Sequence, residues 1–148
     1  MKIYLGADHN GFLLKQQIAE YLLRNNYGIV DEGDTQLDPN DDFPQFAARV
    51  VAAIKSSDDP DPRGILICGS GQGMCMAANR YRGIRASLVW NEDEARMSRN
   101  DDDANILCLP AKVVKESDVE RIVRVWLTTG FAGASRFKRR IKEMDDLS

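Results

Sequence analysis

Cys68 closes a short apolar run, Gly64-Ile65-Leu66-Ile67-Cys68, and is followed at once by alternating glycines at 69, 71 and 73. An apolar run of this length predicts a buried strand. Glycines spaced in this way let backbone N–H groups approach an anion where the next helix begins. A thiol beside such an anion hole can work as a general base, because helix N-terminal N–H groups stabilise a thiolate. The same residues also fit a structural thiol that ends a core strand, since cysteine is among the residues most often buried. Cys75 and Cys108 have no comparable setting and are expected to be packing residues.

A second polar group follows the first apolar run, in Gly6-Ala7-Asp8-His9-Asn10-Gly11. His9, the chain's one histidine, can donate to a phosphate or a sugar oxygen, or simply occupy an exposed turn. Asp8 can orient a sugar hydroxyl or cap the helix that follows. Asp42, before Phe43-Pro44, has the same two roles open to it. A third group is the basic segment Arg136-Phe137-Lys138-Arg139-Arg140. Arg136 and Arg140 fall one helical turn apart on one face and together can grip a phosphate through planar guanidinium groups. A basic run of this kind also makes a solvated helix face.

The elements that must position these groups alternate between strand and helix. Strands are expected at Lys2–Gly6, Tyr27–Val30, 64–68, Ile84–Val89 and Ile106–Leu109. Helices are expected over Gly11–Arg24, along the stripe Phe43, Phe46, Ala47, Val50, Val51 and Ile54, from about Gly71, over Glu92–Arg99, along Val119, Ile122, Val123 and Trp126, and from about Ser135 to 145. Asn91 with Glu94, and Ser117 with Glu120, have capping-box spacing. Such alternation predicts one α/β domain over residues 1–148, a doubly wound, Rossmann-like three-layer sandwich. Its sheet is five-stranded and mostly parallel, with ligands at the carboxyl ends of the strands. The ends of the first and third strands then lie at one edge.

Composition narrows the function classes. In 148 residues with 43% hydrophobic content and a net charge of -3, there is material for one core and no general attraction to nucleic acid or an anionic membrane. Three cysteines without metal-type spacing and no long apolar span lead to the expectation of a reduced, cytoplasmic protein without zinc or disulfides. The Gly-x-Gly-x-Gly pattern departs from the dinucleotide fingerprint and from the phosphate loop ending in Gly-Lys-Ser/Thr, so no nucleotide cofactor is expected.

Taken together, the motifs are more specific than any one of them. Gly6-Ala7-Asp8-His9-Asn10-Gly11-Phe12-x-x-Lys15, Asp42-Phe43-Pro44, Ile67-Cys68-Gly69-Ser70-Gly71-Gln72-Gly73, Ala77-Ala78-Asn79, Gly83-Ile84-Arg85-Ala86 and Ser98-Arg99 with Ala104-Asn105 resemble, in order and over nearly the whole chain, the type B ribose-5-phosphate isomerase family. That family also holds allose-6-phosphate isomerases and the subunits of galactose-6-phosphate isomerase. The resemblance implies aldose–ketose isomerisation of a sugar phosphate through an enediolate, without metal or organic cofactor. It implies that Cys68 moves a proton from sugar C2 to C1. The loop Gly69, Ser70, Gly71, Gln72 and Gly73 would hold the developing oxyanion, with Ser70 as a hydroxyl partner. Asp8 would lie near the sugar hydroxyls and His9 near the phosphate. Arg136 and Arg140 match the family's paired phosphate arginines, and Lys112 stands where relatives often carry a third, keeping the charge but losing the bidentate fork. The family forms homodimers or dimers of dimers with sites completed by both subunits, which implies that the terminal helix reaches across an interface.

One segment departs from the pattern. In Ser98-Arg99-Asn100-Asp101-Asp102-Asp103-Ala104-Asn105, Asp101 stands at the family's ring-opening histidine and Asp102 at the asparagine that follows it. A carboxylate at 101 can accept the anomeric hydroxyl proton but needs a raised pKa to protonate the ring oxygen, which mutual repulsion among three acids would favour. The same acids also fit a solvated loop at a helix end. The departure leaves open the same chemistry on a six-carbon sugar phosphate, and a noncatalytic sugar-phosphate-binding subunit.

Overall fold

A computed structural model describes residues 1–147. The chain runs β1 (Lys2–Ala7), α1 (Phe12–Arg24), β2 (Gly28–Asp31), α2 (Phe43–Ser56), β3 (Arg63–Cys68), α3 (Gln72–Ala78), β4 (Ala86–Leu88), α4 (Glu92–Asn100), β5 (Ile106–Pro110), α5 (Glu116–Thr128) and α6 (Ser135–Asp145). The five strands form one sheet in the order β2-β1-β3-β5-β4, and every neighbouring pair is parallel. The expected "mostly parallel" sheet is therefore parallel throughout.

Parallel strands covered on both faces read as continuous apolar runs. All six residues of β3 are buried accordingly. The pleat divides them by alternation. Ile3, Leu5, Ile65, Ile67, Leu107 and Leu109 share one core with residues of α1, α4 and α5. Tyr4, Leu66, Cys68, Ile106 and Cys108 share the other with α2 and α3. These are the two helical layers of a doubly wound sandwich.

Several boundaries differ from expectation for local reasons. The fourth strand is shorter than Ile84–Val89 because the Arg85 backbone N–H donates to Asn105 Oδ1 at 2.8 Å instead of joining the ladder. Asn91 caps α4, accepting from the Glu94 N–H at 2.8 Å. Ser117 does not cap α5: that helix begins at Glu116 with Lys115 as its flanking residue and no side-chain cap bond, so Ser117 and Glu120 both lie inside it. Phe43 opens α2 but leaves its buried stripe, and its ring lies over Gly73, where a methyl group would meet it at 2.6 Å.

Lys15 is fully buried, which a helical periodicity of apolar residues does not anticipate. Its Nζ donates to Asp31 Oδ1 at 2.9 Å and to the Asp34 carbonyl at 3.1 Å. A buried ammonium needs such partners, and here they fasten the loop that leaves β2 to the first helix.

Candidate active site

The carboxyl ends of β1, β3 and β5 bring one set of polar groups together. The Asp8 N–H donates to the Ile67 carbonyl at 3.2 Å, one residue before Cys68. Gly11 lies so close to the end of β3 that a Cβ there would stand 2.6 Å from the same carbonyl oxygen. Beyond β5, the N–H groups of Ala111 and Lys112 donate to the carbonyls of Cys68 and Gly69 at 2.9 and 3.0 Å. The Lys112 side chain then passes over Gly69, with its Cε 3.3 Å from where a Cβ would be. Asp8, His9, Cys68, Gly69 and Lys112 thus surround the same stretch of sheet edge.

The glycine loop turns sharply here. Gly71 has φ +73°, and a methyl on it would stand 2.5 Å from Leu88 Cδ1 and 3.1 Å from the Pro110 nitrogen. Only glycine satisfies both the backbone angle and the space. The Gln72 N–H donates to Ser70 Oγ at 3.3 Å, while Ser70 and Gln72 remain exposed at the mouth. Cys68 itself is 5% exposed. Cys108 is fully buried and Cys75 partly so, both on the α2/α3 side of the sheet that Cys68 also faces. The Cys75 thiol donates to the Ala86 carbonyl at 3.2 Å. Burial pushes the Cys108 thiol well up, and a hydrogen bond with Cys108 draws Cys75 down. Their position fits the packing role expected of them.

Asp8 is 5% exposed and its Oδ1 accepts from the N–H groups of Asn10 and Gly11 at 3.0 and 3.2 Å. The carboxylate therefore shapes the turn before α1, and its remaining oxygen is the one open to a ligand. His9 Nδ1 lies 2.8 Å from Asp41 Oδ1, and the His9 N–H donates to the same oxygen at 3.0 Å. This hydrogen bond, with the Asp8 and Asp41 carboxylates, raises the His9 pKa above 6.5 against the opposing effects of burial and of Lys112. Asp8, His9 and Asp41 offer three potential metal-ligand atoms within 4.8 Å of one another. One oxygen of each acid is already an acceptor for protein N–H groups, which makes the cluster a hydrogen-bond network first.

A second set of residues lies at the opposite edge. Helices in a parallel sheet return the chain to the amino ends of the strands, and Asp101 to Asp103 follow α4 directly before β5. The register places Gly64 opposite Ile106 and Cys68 opposite Pro110, so roughly 13 Å of strand separates the two edges. Arg63, the first residue of β3, bonds the Trp126 and Leu127 carbonyls at 3.3 and 3.4 Å, and Arg63 and Arg99 flank the Trp126 ring. These contacts fix the ends of α4 and α5 at the amino edge. The chain then enters α6, after Ala132 bonds the Asn100 carbonyl at 3.0 Å.

The three acids are not equivalent. Asp103 is bound by Arg99 at 2.9 Å and Arg85 at 3.3 Å. Asp101 accepts from the Asn100 amide at 2.7 Å. Asp102 belongs to an exposed position, yet desolvation by its surroundings, and then the Asp101 carboxylate, raise its pKa. Arg140 and Arg85 pull it down. The repulsion anticipated among these acids thus acts on Asp102. Arg136 and Arg140 are both exposed on α6, a helix with no buried residue. In one chain, Asp101, Asp102, Arg136 and Arg140 are not brought to Cys68.

The residue that sequence reasoning missed is Asp41. It lies in a run of polar loop residues without periodicity, and its partner His9 is 32 positions away.

A glycine turn presenting a thiol beside an aspartate and a histidine, at the carboxyl edge of a fully parallel doubly wound sheet, defines an α/β protein built to bind a small polar ligand at its strand ends. Residues 3–144 match the family Ribose/Galactose Isomerase, and the chain belongs to that family. It is 42% identical over 142 residues to a probable ribose-5-phosphate isomerase B of Mycoplasma genitalium, covering 96% of this chain and 92% of that one. The Escherichia coli ribose-5-phosphate isomerase B is 35% identical, with 93% and 91% covered. Among solved structures, that of ribose-5-phosphate isomerase B from Clostridium thermocellum superposes with a TM-score of 0.93 at 40% identity, covering 99% of this chain and 97% of that one. The Mycoplasma genitalium enzyme with bound ribulose 5-phosphate superposes with a TM-score of 0.92 at 41% identity, covering 99% and 95%.

Proposed function

We propose that the chain is an aldose–ketose isomerase interconverting ribose 5-phosphate and ribulose 5-phosphate, acting as a homodimer or a dimer of dimers in the cytoplasm. The observation that carries this reading is the placement of Cys68 beneath the Gly69–Gly73 turn and beside Asp8. The Cys68 thiolate takes the proton from C2 of the open-chain aldose. The electron pair forms the C1–C2 double bond of the enediolate, and negative charge develops on O1. Backbone N–H groups of the loop Gly69, Gly71, Gln72 and Gly73, with the Ser70 hydroxyl, receive that charge, as preorganised donors in a dry site do most effectively. The thiol returns its proton to C1 while the O2 proton passes to O1, leaving the C2 ketone. C1 is reduced and C2 oxidised within the one sugar, so the electrons balance internally and the steps as written call for no external oxidant, reductant or organic cofactor.

Asp8 orients the sugar hydroxyls through its open carboxylate oxygen. His9 and Lys112 face the phosphate from the carboxyl edge of one chain, and Arg136 and Arg140 of a second copy close on it. The α6 helix suits that task, since it presents Phe137, Ile141 and Met144 on a stripe that one chain leaves unburied. Asp101 and Asp102 of the second copy then meet the furanose ring. A cytoplasmic setting keeps the base a free thiol.

The acidic pair at 101 and 102 supports a second reading, the same chemistry on a six-carbon substrate of the allose 6-phosphate or galactose 6-phosphate type. Turnover of the three sugar phosphates by the unaltered protein and by Asp101→His separates the two. Ribose 5-phosphate is expected to be the best substrate, and its turnover to be kept or raised in Asp101→His. A folded variant without turnover on it would show that Asp101 does not stand in for the histidine.

A further inference from the structure

We infer that Asp41 is a positioning residue that holds His9 as a charged donor for the phosphate ester, an assignment resting on the isomerase reading for the identity of the ester. The geometry is specific. One oxygen, Asp41 Oδ1, accepts from both the backbone N–H and the ring Nδ1 of His9, at 3.0 and 2.8 Å. Two donors from one residue fix the ring's position as well as its tautomer, because Nδ1 must carry the proton. The Asp41 side chain is 8% exposed and the His9 side chain 33%. The acid is thus withdrawn beneath an imidazole that remains open, and the ring's other nitrogen, Nε2, is left for a ligand.

The loop carrying Asp41 is itself anchored. Lys15 holds Asp31 and the Asp34 carbonyl, the Asn40 N–H donates to Asp38 Oδ1 at 2.9 Å, and the Asp41 N–H to the Asp38 carbonyl at 3.3 Å. The charged groups acting on His9 are Asp8, Asp41 and Lys112. The two carboxylates favour the imidazolium, and the Lys112 ammonium disfavours it. A phosphate dianion bound between His9 and Lys112 would offset that repulsion, since opposite charges favour one another's ionised forms. The expected sign is that His9 is charged below its raised pKa and loses its charge as pH rises through it. Phosphate affinity should fall over the same interval.

The single histidine makes the test direct, because one imidazole resonance reports one residue. Its midpoint is followed by proton NMR in the unaltered protein and in Asp41→Asn, each with and without inorganic phosphate. Asparagine keeps an acceptor oxygen and the shape while removing the charge. The expected result is a midpoint above 6.5 that moves down in Asp41→Asn and moves further up when phosphate is added to the unaltered protein. In turnover, the ratio of KM at pH 8 to KM at pH 6 should rise roughly fivefold in Asp41→Asn while kcat changes little, since the ester is held equally in the ground and transition states. A purely structural Asp41 would lower kcat/KM alike at pH 6 and pH 8 and leave the midpoint where it was. Equal midpoints in the two proteins overturn the inference, as does a resonance that ignores phosphate in the unaltered protein. Should Asp41→Asn not fold, the midpoint of the unaltered protein decides, and one at or below 6.5 overturns the inference. Failure to turn over any sugar phosphate would count against the isomerase reading, while the midpoint comparison would still decide the pairing.

Discussion

Cys68→Ala is expected to lower kcat on ribose 5-phosphate by about a thousandfold or more, with substrate binding kept within a few-fold, because removing a positioned base eliminates proton transfer but not the phosphate contacts. The substitution is sterically mild. Cys68 ends a strand whose six residues are all buried, and alanine fills most of the same space without a clash. The protein should therefore fold, and its loss of turnover can be read as chemistry. Inorganic phosphate or the sugar phosphate should still perturb the His9 resonance in the variant. Turnover close to that of the unaltered protein would remove Cys68 from the proton-transfer step.

The second large effect follows from topology. Cys68, Asp8, His9 and the glycine loop lie at the carboxyl edge, whereas Asp102 and Arg140 lie at the amino edge of the same sheet. A site using both sets must be assembled from two copies. Arg140→Ala is expected to raise KM by about tenfold or more, since a charge-assisted contact to phosphate is lost, and Cys68→Ala to be nearly inactive. When the two variants are mixed and allowed to exchange subunits, half the dimers become hybrids. Each hybrid pairs the intact carboxyl edge of one chain with the intact amino edge of the other, so roughly a quarter of all sites are whole. Activity at low substrate should therefore rise well above the sum of the two variants measured apart. No recovery after demonstrated exchange would mean that each site is made by one chain.

Much of the fold is visible in the sequence because a fully parallel sheet writes itself as apolar runs. The runs ending at Gly6, Cys68 and Leu109 need no tertiary information to be seen. Their partners on α2 and α5 follow from helical spacing alone. What the sequence conceals is where long-range polar contacts override local patterns. Arg85 turns away from the β4 ladder to meet Asn105. The first turn of α5 starts ahead of the serine that has capping-box spacing. Lys15 is buried because Asp31 and Asp34 come back to it.

The site divides in the same way. Cys68 and its glycines are legible because strand, turn and helix are contiguous. Asp8 and His9 are legible by their place after the first strand, although the double role of Asp8, turn acceptor and ligand group, emerges only from its bonds to Asn10 and Gly11. Asp41 is not legible, since an aspartate in a loop of aspartates has no signal until a fold sets it against His9. The separation of Asp101 and Arg140 from Cys68 could have been read from the alternation itself. A residue after a helix and before a strand belongs to the amino edge, and one directly after a strand to the carboxyl edge.

Enediolate isomerisation at Cys68 is tested by an NMR time course of ribose 5-phosphate with the unaltered protein in deuterated water, repeated with Cys68→Ala. The expected result is ribulose 5-phosphate with solvent deuterium entering at C1, and neither conversion nor exchange in the variant. Absence of both ketose and deuterium in the unaltered protein, or unchanged exchange in Cys68→Ala, would contradict it.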